Sequence, residues 1–416
     1  MALPPGPRTP AALNLARFMY RPLQMLTGWR ARYGDLFTVR FLGFGTGVYV
    51  ADPEAIRLLF TGDQSDLHAG EANSFMEPVL GPHSVLILDG PEHLRQRKLL
   101  LPPFAGSRAS ALREIAREVA EREVAGWRPG MQLVLRERMR ALTFEVICRA
   151  VFGVTQPELV DLLRLRLSAV IDSSPLFLLA PPIRTDLGPL SPGGRFAQRL
   201  RAADEVLYRE ISKRRAAPDL EQRSDVLSLL LRARDEQGLA MTDRELRDEL
   251  FTMLAAGHET TATGLAFAFE LLLRNPRVLA RLRDELESGE DDSYLDAVVK
   301  ETLRLRPIID AAERTLTRPR EVAGWTLPAG VRVYPAIFLV HTREDLYERP
   351  FEFRPERFLE EGAESYAWLP FPVVLRGITL VPKHGVPVTV ERQLPASVLS
   401  SLSDSRISSR KSPALA

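Results

Sequence analysis

One long helical segment constrains the fold of this chain more than any other feature of its sequence. Thr242-Asp243-Arg244-Glu245 is a capping box, in which the Thr and Glu side chains each accept a hydrogen bond from the other residue's backbone N–H. The helix that begins there can continue for roughly thirty residues, until Asn275-Pro276 ends it. Because a helix of that length must cross a whole domain, we expect it to be the central element of the fold.

Helical patterns also dominate the rest of the chain. Apolar residues recur at helical spacing in residues 112–124 and 196–211, and another helix is predicted for residues 294–305, before Pro307. Strand patterns are fewer and short. They predict a hairpin at residues 40–50, a second at 324–334 and a final strand pair at 377–390. The predicted fold class is therefore mainly α (α+β), with a long central helix and small β-sheets.

The composition excludes several classes of protein. The 416 residues carry a net charge of +1, which gives no reason to expect nucleic acid or an acidic membrane surface as a partner. The one cysteine, Cys148, excludes an internal disulfide and a zinc site built from several cysteines. We expect one domain over residues 1–391 and a disordered tail over residues 392–416, because the last twenty residues contain eight serines.

The sequence contains neither a signal peptide nor a membrane anchor at its N-terminus, where no basic segment precedes an apolar one. The most apolar long stretch, residues 251–273, is interrupted by His258, Glu259 and Glu270. Three such groups are rare in a membrane-spanning helix. We therefore expect a cytoplasmic protein with no membrane span.

Two separated motifs place acidic and basic side chains where they could pair. Glu301-Thr302-Leu303-Arg304 puts a carboxylate and a guanidinium three residues apart on one face of a helix. Alone, this would be a surface ion pair worth under about 1 kcal/mol. Pro355-Glu356-Arg357-Phe358 follows downstream and supplies a second arginine.

A run of poor helix formers lies midway along the long helix, at Ala256-Gly257-His258-Glu259-Thr260-Thr261. Glycine inside a helix costs about 1 kcal/mol relative to alanine. Threonine hydroxyls can bond to the preceding turn and bend the helix. The run is either a tolerated weak point or a functional distortion.

A third motif, His93-Leu94-Arg95-Gln96-Arg97, places His93 and Arg97 one helical turn apart. These are either two solvated basic residues or part of an anion-binding site. The local sequence leaves both readings open.

Taken in order along the chain, these motifs resemble those of the cytochrome P450 family, over about residues 4–390. The resemblance implies the cytochrome P450 fold, a haem cofactor and a monooxygenase that oxidises a small apolar substrate with O2 and two electrons. A ferredoxin or flavodoxin type redox partner would supply the electrons. The substrate would lie under the long helix, roofed by loops in residues 63–88 and 173–196.

The resemblance also implies roles for individual residues. They are a buried structural triad of Glu301, Arg304 and Arg357, an oxygen-activating group of Gly257, Glu259 and Thr260, and haem-propionate ligands His93, Arg97 and Arg314. In the second group, Gly257 would make the opening for dioxygen, and Glu259 with Thr260 would relay protons.

The sequence departs from the family pattern where the cysteine ligand of the haem iron should be. The family has a Phe-x-x-Gly-x-Arg-x-Cys-x-Gly loop whose thiolate binds the iron. In this chain Trp368 to Phe371 resembles the approach to that loop, and Arg376 to Pro382 resembles the strand after it. We therefore expect a deletion near residues 371–374 that removes the loop and the following helix, and we predict no metal ligand.

No other side chain is predicted to replace the missing ligand. Cys148 is expected on a mid-chain helix packed into the core, where a free cysteine acts as a small hydrophobe. His258 could face the oxygen-binding side, whereas His341 and His384 are expected on the surface. We expect thiolate-haem chemistry to be impaired. Two alternatives stay open: a non-catalytic scaffold that binds a hydrophobic ligand or partner, and a non-functional deletion product.

Overall fold

Helices make up most of the described part of this computed structural model, which covers residues 2–61, 63–104, 108–179, 181–289, 291–359, 368–369 and 385–391. The helices are α1 (Ala11–Tyr20), α2 (Pro22–Tyr33), α3 (Pro53–Thr61), α4 (Ala69–Asn73), α5 (Glu77–Leu80), α6 (Gly90–Leu100), α7 (Arg108–Ala125), α8 (Leu135–Phe152), α9 (Pro157–Leu179), α10 (Pro192–Arg215), α11 (Val226–Arg232), α12 (Asp243–Arg274), α13 (Pro276–Ser288), α14 (Ser293–Leu305) and α15 (Ile337–His341). The strands are β1 (Leu36–Phe41), β2 (Gly45–Val50), β3 (Leu67–His68), β4 (Gln132–Val134), β5 (Arg314–Leu316), β6 (Arg320–Val322), β7 (Trp325–Leu327), β8 (Arg332–Pro335) and β9 (Pro387–Thr389).

The long helix α12 has the boundaries that the sequence predicts. Thr242 Oγ1 accepts a hydrogen bond from the backbone N–H of Glu245 at 3.2 Å, and Glu245 Oε2 accepts one from the N–H of Thr242 at 2.7 Å. Asn275 ends the helix, and Pro276 begins α13. The capping box pairs amide groups that the first helical turn leaves without partners, so the start of α12 is determined by local chemistry.

Helices α8, α9, α10 and α12 surround the largest hydrophobic cluster of the described residues. Cys148 belongs to this cluster and has no exposed surface, as predicted. The helical segments predicted at residues 112–124, 196–211 and 294–305 are confirmed as α7, α10 and α14. The core is therefore built mainly from amphipathic helices packed against α12.

The largest β-sheet joins early and late parts of the chain. Its five strands have the order β1-β2-β8-β5-β3, in which β2 and β8 are parallel and the other neighbours are antiparallel. The first predicted hairpin is confirmed as β1 and β2, although it begins earlier, at Leu36.

The second predicted hairpin is wrong. Strand β7 pairs with β6, with Trp325 opposite Val322, whereas β8 lies between β2 and β5 of the larger sheet. Val333 is fully buried and Tyr334 nearly so in that position. An isolated two-stranded hairpin cannot bury its residues to this extent, so the central place in a larger sheet is the more stable one.

Strand β9 lies beside the start of α8. It pairs antiparallel with β4, with Val388 opposite Leu133. The final strand pair was predicted within residues 377–390, and β9 corresponds to its second strand. The other strand of that pair, the predicted deletion near residues 371–374 and the predicted tail at 392–416 lie outside the described residues.

No helix in the described ranges is long and apolar enough to cross a lipid bilayer.

Candidate functional site

Two threonines in the middle of α12 bond to the preceding turn. Thr260 Oγ1 donates to the carbonyl oxygen of Ala256 at 2.6 Å, and Thr261 Oγ1 donates to that of Gly257 at 2.8 Å. Bonds of this kind compete with the helical N–H groups for the carbonyl oxygens and weaken the helix. Thr260 is buried and Thr261 is exposed, so Thr260 carries the hydroxyl that faces the interior.

The buried carboxylate next to it, Glu259, is bound by two arginines of α8. Arg140 Nε donates to Glu259 Oε2 at 2.7 Å, and Arg136 donates to Oε1. Arg140 also donates to Asp172 of α9 at 3.3 Å. Successive side chains of a helix point about 100° apart, so the carboxylate is directed toward α8 rather than along the direction of the Thr260 side chain. Through Arg140 and the partly exposed Asp172, Glu259 is linked to the protein surface.

The two residues before Glu259 also face α8. A Cβ added to Gly257 would lie 3.1 Å from Ile147 Cδ1, so a small residue lets α12 and α8 pack closely at this point. His258 is buried, stacks edge-on against Phe144 and bonds through Nδ1 with the carbonyl oxygen of Leu254 at 3.1 Å. His258 therefore points toward α8, about 200° around the helix axis from Thr260, because residues two apart on a helix differ by that angle.

His93 and Arg97 of α6 lie close to Arg314 of β5, so the structure brings the predicted propionate ligands together. Burial lowers the pKa of His93, and the positive charges of Arg97 and Arg314 lower it further, against the opposing charge of Asp89. Burial also lowers the pKa of Arg314, whose Nη1 donates to the carbonyl oxygen of Glu313 at 2.7 Å. Clustered cationic donors of this kind are suited to carboxylate or phosphate groups.

The structure also brings together Glu301, Arg304 and Arg357. Arg304 donates to both carboxylate oxygens of Glu301, from Nε at 2.7 Å and from Nη2 at 2.9 Å. Arg357 Nε donates to Glu301 Oε1 at 3.2 Å, and the backbone N–H of Arg354 donates to the same oxygen at 2.9 Å. Glu301 and Arg304 have no exposed surface. The three side chains form a buried ion network beneath the end of α14.

His341 is a residue whose place the sequence analysis got wrong. It is fully buried at the end of α15, not on the surface. Its Nδ1 bonds with the carbonyl oxygen of Arg304 at 3.2 Å, and its Nε2 accepts a hydrogen bond from the backbone N–H of Leu369 at 2.9 Å. The pKa of His341 is lowered to about 3, mainly by burial and in addition by the positive charge of Arg304. His384 lies outside the described residues.

The residues present fit one part of a haem and not another. His93, Arg97 and Arg314 form a cationic cluster that suits the propionate groups. Cys148, the one cysteine of the chain, lies on α8 and is enclosed by the hydrophobic core. Burial raises its pKa far above the usual range. A thiolate needs a polar or cationic environment, so Cys148 does not fit the role of an iron ligand. Among the described residues no group of three or more His, Cys, Asp or Glu side chains is arranged to hold a metal ion.

Three polar residues of the site were missed by the sequence analysis. Arg136 and Arg140 bind Glu259, and their spacing of one helical turn on α8 was a local signal that could have identified them as a pair. Glu249, three turns before Thr260 on α12, is fully buried. It follows the charged residues Arg247 and Asp248, so the local sequence contains no signal that this glutamate would be buried.

Comparison with known proteins gives one consistent result. The cytochrome P450 family model matches residues 4–373, and so its match ends inside the segment where a deletion is predicted. A protein described as cytochrome P450 135B1, from Mycobacterium tuberculosis and Mycobacterium bovis, is 42% identical over 383 residues, which cover 89% of this chain and 79% of that protein. One described as cytochrome P450 135A1, from Mycobacterium tuberculosis, is 39% identical over 370 residues, covering 89% and 82%.

Solved structures have the same fold. The retinoic acid-bound cyanobacterial CYP120A1 superposes with a TM-score of 0.77 at 25% identity, over 89% of this chain and 86% of that one. The heme domain of cytochrome P450DA also has a TM-score of 0.77, at 22% identity, over 89% and 85% of the two chains.

Proposed function

Because this chain belongs to the cytochrome P450 family, whose members are haem-dependent monooxygenases, we propose that it holds a small apolar molecule against the Thr260 face of α12 but is impaired in thiolate-supported oxidation. The observation that carries this proposal is the position of Cys148, which lies on α8 and is enclosed by the hydrophobic core. The substrate-facing residues of α12 are retained, while the sequence offers no cysteine for the iron.

The side chains of α12 support the part of the proposal that concerns the substrate. Thr260 is buried and directed to the interior, with the small residue Ala256 one turn before it. Gly264, one turn after it, would bring an added Cβ within 3.5 Å of Ile308 Cδ1. Small side chains on both sides of the hydroxyl leave room for an apolar molecule. A related structure was solved with retinoic acid, an elongated apolar molecule, and we infer a ligand of similar apolar character for this chain.

The cluster of His93, Arg97 and Arg314 supports weak haem binding through the propionates, because two guanidinium groups lie near a histidine that can donate an N–H. A bound haem would supply the site for dioxygen in members of the family that have the thiolate. In this chain Glu259, which precedes Thr260 in the sequence, is held by Arg136 and Arg140, and Arg140 links it to Asp172 at the surface. No step at the iron follows from these residues, because none of them fits as its axial ligand.

The rest of the proposal extends the family's general properties to this chain. A ferredoxin or flavodoxin type partner would deliver electrons to any haem that is bound, and the location would be the cytoplasm. The alternatives are a scaffold that binds a hydrophobic ligand or partner without catalysis, and a deletion product with no function. Both are favoured by the same observation, the absence of a cysteine near the His93 and Arg97 cluster.

The test is the reduced carbon-monoxide difference spectrum of the protein purified after expression with a haem precursor. We expect no thiolate-type Soret band. A thiolate-type band that disappears in Cys148→Ser would show that Cys148 reaches the iron, and the proposed impairment would be wrong. A histidine-type band that weakens in His93→Ala and Arg97→Ala would support haem binding without the thiolate. No haem absorbance in any preparation would favour the scaffold.

A further inference from the structure

Four residues of α12 form a stripe that leads from the proposed reaction site to a second polar group. At 100° per residue, Glu249, Met253, Ala256 and Thr260 lie within about 60° of one another around the helix axis. The two end residues are buried, whereas Met253 and Ala256 between them are only partly buried. The stripe therefore has an apolar, partly accessible middle section and a buried polar side chain at each end.

A loop held against α12 forms a wall beside this stripe. Val85, Leu86 and Ile87 are partly buried and pack against the main hydrophobic cluster. The loop is attached to α12 by two hydrogen bonds: the backbone N–H of Val85 donates to Glu249 Oε1 at 2.8 Å, and Thr252 Oγ1 donates to Ser84 Oγ at 2.8 Å. The apolar wall and the polar end of the stripe are thus fixed relative to each other.

Glu249 uses only one of its two carboxyl oxygens in these contacts. Its Oε2 is buried and has no hydrogen-bond partner in the described part of the chain. Buried polar atoms are usually paired, so an unpaired oxygen at the end of an apolar space is a candidate contact for a ligand. The bond to Val85 needs one acceptor, which a glutamine would supply equally well, so it does not account for the carboxyl group.

The surroundings of Glu249 determine which ligand group would suit it. The pKa of Glu249 is raised to about 8. Burial is the main cause, the N–H of Val85 opposes it, and the negative charges of Asp248 and Glu245 add to it. Below about pH 8 the carboxyl group therefore holds a proton. Above that pH it is ionised, and it then disfavours an anionic ligand group and favours one that donates a hydrogen bond or carries positive charge.

We propose that Glu249 Oε2 binds the hydroxyl or amine at one end of an elongated apolar ligand, whose other end lies at Thr260. This inference rests on the proposed function for the position of the reacting end. The two residues are eleven positions apart, which at 1.5 Å per residue is about 16 Å along the helix. The site therefore selects long, flexible or rod-like molecules with a single polar terminus, and it disfavours those that end in a carboxylate.

Equilibrium binding of three probes that differ only in the head group tests this. Dodecylamine, dodecan-1-ol and dodecanoic acid, each below its micellar concentration, are titrated calorimetrically into the full-length chain and its variants at pH 9, where Glu249 is ionised. We expect the amine and the alcohol to bind at least about tenfold more tightly than the acid, the change that one charge-assisted hydrogen bond supports. Glu249→Gln should remove most of the preference for the amine, and Glu249→Leu should remove the preference for both donors.

A second glutamate of the same helix supplies the matched control. Glu270 pairs with Arg274 near the far end of α12, so Glu270→Gln should keep the head-group order of the unsubstituted chain. Thermal melting checks that each variant is folded. An unchanged order in both Glu249 variants, tighter binding of the acid, or no binding of any probe would each overturn the inference. The calorimetric readout does not involve the iron, so a failed carbon-monoxide experiment with the predicted head-group order would count only against the proposed enzyme.

Discussion

The imidazole of His341 accepts a hydrogen bond through Nε2 from the backbone N–H of Leu369, with the two nitrogen atoms 2.9 Å apart. Its other nitrogen, Nδ1, donates to the carbonyl oxygen of Arg304, and Arg304 in turn donates to the carbonyl oxygen of His341. This arrangement requires the neutral ring with its proton on Nδ1. His341 therefore connects the Glu301 ion network to the short segment Trp368–Leu369, which precedes the position of the predicted deletion.

The first prediction concerns the pH dependence that follows from His341. Its pKa is about 3 in the folded protein and about 6.5 in the unfolded chain, so below pH 6.5 the unfolded state binds more protons. The contribution of His341 to the free energy of unfolding is fully present above pH 6.5 and is lost as the pH falls toward 3. Between pH 7 and pH 5 the free energy of unfolding should fall by on the order of 2 kcal/mol from this source.

Urea unfolding of the unsubstituted chain and of His341→Asn at pH 7, 6 and 5 measures this effect. The asparagine does not titrate, so the difference between the two proteins should shrink as the pH falls. His83→Asn, at a partly buried position outside the network, controls for the loss of a histidine as such. A constant difference across the pH range would mean that His341 does not titrate with folding.

The second prediction concerns the ion network of Glu301 and Arg304. Arg304→Ala would leave the buried Glu301 carboxylate without its bidentate partner, and the free energy of unfolding should fall by about 3–5 kcal/mol. Arg304→Lys should recover little of this, because an ammonium group cannot make the two parallel bonds. Chemical denaturation measures both. Arg117→Ala removes an exposed partner of Glu114 at the same i,i+3 spacing and should leave the unfolding midpoint unchanged. Equal losses of stability in Arg304→Ala and Arg117→Ala would contradict the role of burial.

The third prediction concerns the two arginines that bind Glu259. Each single variant, Arg136→Ala or Arg140→Ala, leaves one of the two arginines on the buried carboxylate, whereas the double variant removes both. The double variant should therefore lose more stability than the sum of the single losses, with a coupling of about 1–3 kcal/mol. Adding Glu259→Gln to the double variant should recover part of the loss, because it removes a buried carboxylate that has lost both arginines. A double-mutant cycle by urea unfolding measures the coupling, and strict additivity would rule it out.

The fourth prediction concerns Glu249 and has the opposite pH dependence to His341. The pKa of Glu249 is about 8 in the folded chain, against an ordinary value of 4.5, so between these values the folded state holds a proton that the unfolded state has lost. Stability therefore falls as the pH rises from about 5 to 8, by on the order of 3 kcal/mol from this residue. Glu249→Gln keeps an acceptor for Val85 and cannot ionise.

Thermal melting at pH 5 and pH 8 tests the sign of this effect. The variant should be more stable than the unsubstituted chain at pH 8, and this advantage should be smaller at pH 5. Glu270→Gln again serves as the control on the same helix. An advantage that grows as the pH falls would show that Glu249 is ionised in the folded protein.

Local sequence patterns were sufficient for part of this structure. The start of α12 was predictable because Thr242 and Glu245 bond to each other within one turn, and its end because Pro276 lacks the amide that the helix would need. The pairing of Glu301 with Arg304 was predictable from their spacing on one helix. The addition of Arg357, which lies on a separate element, was predictable only through the family resemblance. The absence of a suitable cysteine was visible in the sequence itself.

The remaining features depend on residues that are distant in the chain. Strand β8 leaves the hairpin that its sequence suggests because β2 and β5 offer it a buried central position. His341 is buried because the carbonyl group of Arg304 and the amide of Leu369 satisfy both of its nitrogens. Glu259 is paired with arginines that come more than a hundred residues earlier. Caps and helix ends follow from bonds within a few residues, whereas burial and charge pairing depend on which elements meet, and only the folded chain decides that.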